Sequence, residues 1–142
     1  MGQQQLLLII LGVIIVGIAI AVGLNLFQAG SIGANQDAMV SDMMNIAAHS
    51  DQWRIRPATM GGGDGEFTGY DTVFDNNDRL NDTGNGTYTV TVTASTIQID
   101  GDSKLGFGNI RLVYDPSQAT EAARYVWSSD GEFDVGDDIP AS

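Results

Sequence analysis

Leu6 to Leu24 reads LLLIILGVIIVGIAIAVGL, a stretch with no charged residue and nothing more polar than Gly12, Gly17 and Gly23. Its 19 residues, at an α-helical rise of about 1.5 Å each, reach ~28 Å, close to the ~30 Å hydrocarbon core of a bilayer. The Leu, Ile and Val side chains favour insertion by roughly 0.3–0.6 kcal/mol apiece, about 4–8 kcal/mol together. A helix this apolar on every side exceeds what a soluble core requires. A secretory signal peptide needs a basic n-region and an apolar run of only about 7–15 residues. Met1-Gly2-Gln3-Gln4-Gln5 carries no Lys or Arg, so the stretch is read as a membrane-grade helix.

Working outward, the rest of the 142-residue chain has the opposite character. It has 18 acidic residues against six basic ones, net −12, and the first charge is Asp37. Such acidity, with no basic stripe, argues against contact with nucleic acid and against lying on an anionic membrane surface. The absence of cysteine excludes disulfides and thiolate metal sites. Residues 1–56 are expected to form one long helix, with 1–27 as its membrane or filament core, and 57–142 a small β-rich domain.

Beyond Leu24 the helix is expected to pass a weak point at Ala29–Gly33 and become amphipathic. Met39, Val40, Met43, Met44, Ala47 and Trp53 recur at helical spacing as the face that holds the β domain. Pro57 and the glycines from Gly61 to Gly65 end it near Trp53–Arg56. From Glu66 the texture turns to short β-like runs. These are Glu66–Tyr70, Thr87–Thr93, Thr96–Asp100, Ile110–Tyr114 and Ala123–Trp127, with a polar loop at Asp75–Gly86 and a turn at Asp100-Gly101. The reading is an α+β chain, with an antiparallel meander packed on the second half of the helix. The acidic tail from Asp130 is compatible with an added edge strand or with a loose end.

No active site is legible. His49 is the single histidine, so multi-histidine zinc sites are excluded and a hydrolytic triad would rest on this one residue without a nucleophile elbow. The Gly61–Gly65 cluster lacks the Gly-Lys-Ser/Thr of a phosphate loop. No cofactor is expected. Two acid-rich stretches offer oxygen ligands of the kind calcium takes, Asp75, Asp78 and Asp82 in one, Asp130, Glu132 and Asp134 in the other. Neither matches the twelve-residue calcium loop, and the competing reading is a solvated acidic surface. Asn81-Asp82-Thr83 and Asn85-Gly86-Thr87 match the glycan acceptor triplet.

An apolar helix at the extreme N-terminus, prolonged as an amphipathic helix and followed by a small β-meander, resembles the type IV pilin superfamily of filament subunits. The resemblance rests on Met1 to Trp53 and on the overall layout. It implies a homo-oligomeric helical filament, possible uses in adhesion or motility, a dedicated leader peptidase and a pilus assembly machinery as partners, and a membrane-held precursor that becomes an extracellular cell-surface fibre. It places assembly on Gln5, Leu6, Leu7, Leu8, Ile9, Ile10, Leu11, Ile14, Ile15, Ile18 and Val22. The chain departs from the family in having no basic leader, so maturation is expected before Met1 or after Gly2. Gln5 stands where pilins usually carry a glutamate, and it hydrogen-bonds without supplying charge. The family's helix-breaking proline and C-terminal cysteine pair are also missing. The rival readings are a monomeric membrane-anchored extracytoplasmic domain, a minor secretion pseudopilin, and a tethered hydrolase using His49.

Overall fold

The computed structural model describes residues 2–135 and the backbone of 137 and 138. Helix α1 spans Gly2–Ile55, followed by a 3-10 turn at Ala58–Met60 and two short helices, α2 (Tyr70–Asp75) and α3 (Asp78–Asn81). The strands are β1 (Gly86–Val92), β2 (Ile97–Ser103), β3 (Asn109–Tyr114), β4 (Tyr125–Ser129) and β5 (Asp137–Asp138), with α4 (Glu121–Arg124) leading into β4. They form one sheet in the order β1-β2-β3-β4-β5, antiparallel from β1 to β4 and parallel between β4 and β5. The architecture is α+β, a long apolar N-terminal helix with a small antiparallel sheet, and this layout is compatible with a pilin-like fold.

The chain divides into two compact units, one ending at Ala34 and one starting at Asn35. The second half of α1 therefore belongs with the sheet. Met39, Met43, Ile46, Ala47, Ser50 and Trp53 are buried at the three- and four-residue spacing of one helical face. Of the six residues expected on that face, Met39, Met43, Ala47 and Trp53 are buried, Val40 is half-buried and Met44 is exposed. The buried stripe runs through Ile46 and leaves Met44 at its margin.

The core-facing side of the sheet supplies Tyr88, Ile97, Ile99, Ile110, Leu112 and Tyr114, all buried. Alternation puts them on one face, because strand side chains point to opposite sides in turn. Gly101 sits in this row. A Cβ there would lie 2.9 Å from the Tyr88 ring and 3.1 Å from Met39 Cε, so glycine makes room for the closest approach of helix and sheet.

Four local expectations are corrected. Glu66–Tyr70 is no strand: Phe67 and Tyr70 are fully buried anchors, and Tyr70 opens α2. The Asp75–Gly86 stretch contains α3, capped by the Asn77 side chain accepting from the Arg79 N–H. Asp100-Gly101 lies inside β2, paired with Thr89 and Tyr88, because the continuous ladder outweighs the local turn propensity. Ala123-Arg124 ends α4, whose N-cap Thr120 accepts from the Ala123 N–H, so the last meander strand starts at Tyr125. In the tail, Phe133 is buried against Phe107 in an edge-to-face pair, and the two-residue β5 adds a parallel edge.

The glycine-rich loop closes the end of α1. The Gly63 N–H donates to the Trp53 carbonyl at 2.9 Å, Gly65 to Arg54 at 2.8 Å and Asp64 to Arg56 at 3.0 Å. Carbonyls orphaned at the helix end are satisfied in this way. The wrap is close enough that a Cβ on Gly63 would stand 1.9 Å from the Glu66 carbonyl oxygen and 2.5 Å from the Trp53 ring. Gly63→Ala is expected to lower stability by about 2 kcal/mol, read as an earlier urea midpoint with an unchanged slope.

Candidate functional site

The feature with the clearest functional content is the surface of α1 before Ala34. Every large apolar side chain from Leu6 to Phe27 is exposed, from 52 % at Ile14 to 77 % at Phe27. Leu, Ile and Val at most positions from Leu6 to Leu24, with only Gly and Ala between them, leave no polar face, so the whole circumference of that stretch is apolar. This helix is long and apolar enough to cross a membrane. Among the residues expected to mediate assembly, Leu6 to Leu11, Ile14, Ile15, Ile18 and Val22 all present their side chains on this exposed surface. A Cβ added at Gly12, Gly17 or Gly23 would meet nothing within 4 Å, so no contact among the described residues accounts for their small size. Contact with lipid or with neighbouring helices remains as the environment that would use them.

The unit from Asn35 onward is joined across helix and sheet by a polar seam that sequence reasoning missed. Asp42 Oδ2 accepts from Thr83 Oγ1, Asn85 Nδ2 and the Tyr88 hydroxyl, each at 2.9 Å. One turn pair earlier on the same helix, Asn35 donates through Nδ2 to the Asn85 carbonyl at 3.2 Å and accepts through Oδ1 from the Ser103 hydroxyl at 2.7 Å. Asn35 and Asp42 are seven residues apart, hence on one face, with Met39 between them and Ile46 one turn beyond Asp42. That spacing was the available signal, obscured because a polar residue in a helix is ordinarily solvated. The charge-assisted bonds to Asp42 are stronger than the neutral ones of Asn35, and together they specify which loop meets which helix.

The other sequence-named residues are not gathered into a site. His49 Nδ1 lies 2.7 Å from the Tyr70 hydroxyl, and its ring is 5.7 Å from that of Tyr70. Among the described residues the hydrogen-bond partner of its ring is Tyr70, and no serine joins it. Among the described residues no three acidic or histidine side chains are grouped as a metal site. Asp82 instead pairs with Lys104, and Asp130 Oδ1 accepts from the Asn109 N–H. Asn81 Nδ2 donates to the Asp75 carbonyl, and Asn85 Nδ2 is the one bound to Asp42, so both candidate glycan-bearing nitrogens are engaged within the fold. On the outer sheet face a shallow polar groove of about 350 Å³ is crossed by the Arg111–Asp100 ion pair, 2.5 Å between Nε and Oδ1.

The tyrosines of the core carry a pH consequence. Burial pushes the Tyr70 phenol well above its ordinary value near 10. Burial does the same for Tyr88, where the Thr83 hydroxyl pulls the other way and the Asp42 carboxylate adds to the rise. Tyr114 is pushed up to about 12, by burial first and then by nearby Asp51. The folded state thus holds these protons more tightly than the unfolded chain. Their contribution is fully present below pH 10 and is lost as pH rises toward 12 and beyond. Tyrosinate absorbance and circular dichroism followed together should show ionisation of these three phenols coinciding with loss of sheet signal, whereas ionisation of all three at ordinary pH in an intact fold would contradict it.

Comparison with protein-family models, curated proteins and solved structures gave no match to this chain.

Proposed function

We propose that this chain is the structural subunit of a helical, type IV pilus-like filament, held in the membrane by α1 before assembly and then displayed outside the cell. One observation carries the reading: a fully apolar helical surface from Leu6 to Leu24, its large side chains exposed throughout, on a chain whose charge begins at Asp37. Such a surface is satisfied by lipid or by copies of itself. Repeated head-to-tail contacts that do not close generate a helical polymer. The acidic units from Asn35 onward would then coat the fibre and keep neighbouring fibres apart by like charge. Adhesion and motility are the uses such a fibre would serve.

The test is negative-stain electron microscopy of material sheared from cells, with mass spectrometry of this chain in the same sample. Thin fibres containing the chain support the proposal. Absence of fibres, with the chain retained in detergent-extracted membrane, replaces it with a monomeric anchored extracytoplasmic domain or a minor pseudopilin.

A further inference from the structure

We propose that Asn85-Gly86 is a self-modification site, where the chain converts asparagine to aspartate or isoaspartate, and that the Asp42 seam holds it unreacted while the fold is closed. This is the single Asn-Gly step in the sequence. In such a step the glycine nitrogen attacks the asparagine side-chain carbonyl carbon, because no Cβ obstructs the approach and the backbone turns freely. The new bond joins Gly86 N to Asn85 Cγ. The Cγ–Nδ2 bond breaks, and ammonia leaves with the proton taken from Gly86 N. Water then opens the cyclic imide at one of its two carbonyls, giving aspartate or isoaspartate. Water is the one co-reactant.

Packing keeps the glycine where it creates this liability. Gly86 opens β1 and is buried, and a Cβ there would lie 2.7 Å from the Asp102 carbonyl oxygen and 3.2 Å from Met39 Cε. Any side chain would have to push against the neighbouring strand's backbone in a close-packed interior. The residue that makes Asn85 reactive is therefore the one that lets helix and sheet meet.

The closed fold opposes the reaction at each group that takes part. Asn85 Nδ2 donates to Asp42 Oδ2 at 2.9 Å, which holds the side-chain amide away from its own backbone. The Gly86 N–H, whose proton must leave, donates to Thr83 Oγ1 at 3.4 Å. The Asn85 carbonyl accepts from Asn35 Nδ2 at 3.2 Å and from the Lys104 N–H at 3.3 Å, so the main chain is fixed as well. Attack passes through a deprotonated amide nitrogen and an oxyanion, and the adjacent Asp42 carboxylate opposes added negative charge. Once made, the product works against closure. A second carboxylate replaces the donor that faced Asp42, and isoaspartate lengthens the main chain by one carbon immediately before β1. Opening of the seam and conversion of Asn85 thus reinforce each other, in one direction.

The test incubates the full-length chain in detergent micelles in mildly alkaline buffer and follows the peptide containing Asn85 by mass spectrometry, which registers the change from amide to acid. The urea-unfolded chain should convert at least about tenfold faster than the folded one, because reaction then needs no opening step. Gly63→Ala weakens the fold outside the seam and serves as the reference. With urea adjusted so that both variants have the same unfolded fraction, folded Asp42→Ala should convert about tenfold faster than Gly63→Ala, the gain in local opening when a hydrogen bond to a charged acceptor is lost. Should Asp42→Ala not fold, Asp42→Asn, which keeps an acceptor oxygen and loses the charge, carries the same comparison. Asn85→Asp, which reproduces one product, should melt below Asn85→Ala, since repulsion adds to the lost donor. Equal conversion in folded and unfolded wild type, equal conversion of the seam and reference variants at matched unfolded fraction, or an Asn85→Asp variant that melts no lower than Asn85→Ala overturns the proposal.

Discussion

Replacing Ile14 with lysine is expected to reduce filament in sheared material at least a hundredfold. Ile14 stands near the middle of the apolar stretch and is 52 % exposed in the single chain, so its side chain meets whatever surrounds the helix. A lysine at the centre of such a helix costs about 2.5–3.5 kcal/mol on insertion scales, and the lost isoleucine adds roughly 0.5 kcal/mol. The sum, about 3–4 kcal/mol, is a hundredfold or more in an association constant. The penalty recurs at every subunit of a polymer. Ile14→Ala removes bulk without charge and should leave filaments in place. Wild-type filament yield from Ile14→Lys would refute helix packing as the basis of assembly.

Asp42→Ala should lower the stability of the sheet-bearing unit by about 3 kcal/mol, because hydrogen bonds to a charged acceptor each contribute roughly 1.5–3 kcal/mol and partial solvent access repays some of the loss. One carboxylate oxygen is the common acceptor for Thr83, Asn85 and Tyr88, so a single truncation leaves three donors without it. For a domain of this size the melting temperature should fall by roughly 10–20 °C. Asn85→Ala removes one donor and should cost about 1 kcal/mol. If Asp42→Ala melts with the wild type, the seam is a surface feature with no energetic role. The variant should still fractionate with membrane, since Asp42 lies beyond the apolar stretch, and this separates its effect from that of Ile14→Lys.

The helix was legible because its signals are local and strong. Nineteen consecutive uncharged residues admit one reading at a bilayer, and Pro57 with the glycines after it marks the end within a residue or two of Ile55. The meander was legible where side chains alternate, as in Thr87–Thr93 and Ile110–Tyr114. It was misread where local preference and tertiary pairing disagree. Asp100-Gly101 has the composition of a turn, yet it continues β2, because β1 and β3 hold it on both sides and Met39 needs the space that glycine leaves. Glu66–Tyr70 has strand-forming residues and becomes the approach to α2, because Phe67 and Tyr70 gain more from burial under the helix than from a ladder.

The candidate site divides in the same way. Composition alone determined that the region from Leu6 to Leu24 is uncharged and apolar on every side, that the charge beyond it is strongly acidic, and that no cysteine is present to hold the outer unit by a disulfide. Those conclusions follow from residue type summed over a segment. Only the tertiary structure decided that Asp42 and Asn35 knit the helix to the Thr83–Tyr88 segment, that Asn85 spends its amide inside the fold, and that the Phe67 N–H reaches the Ala94 carbonyl beyond β1. Each of these depends on which groups separated by tens of residues come within hydrogen-bond distance, a matter of chain path that residue type does not encode.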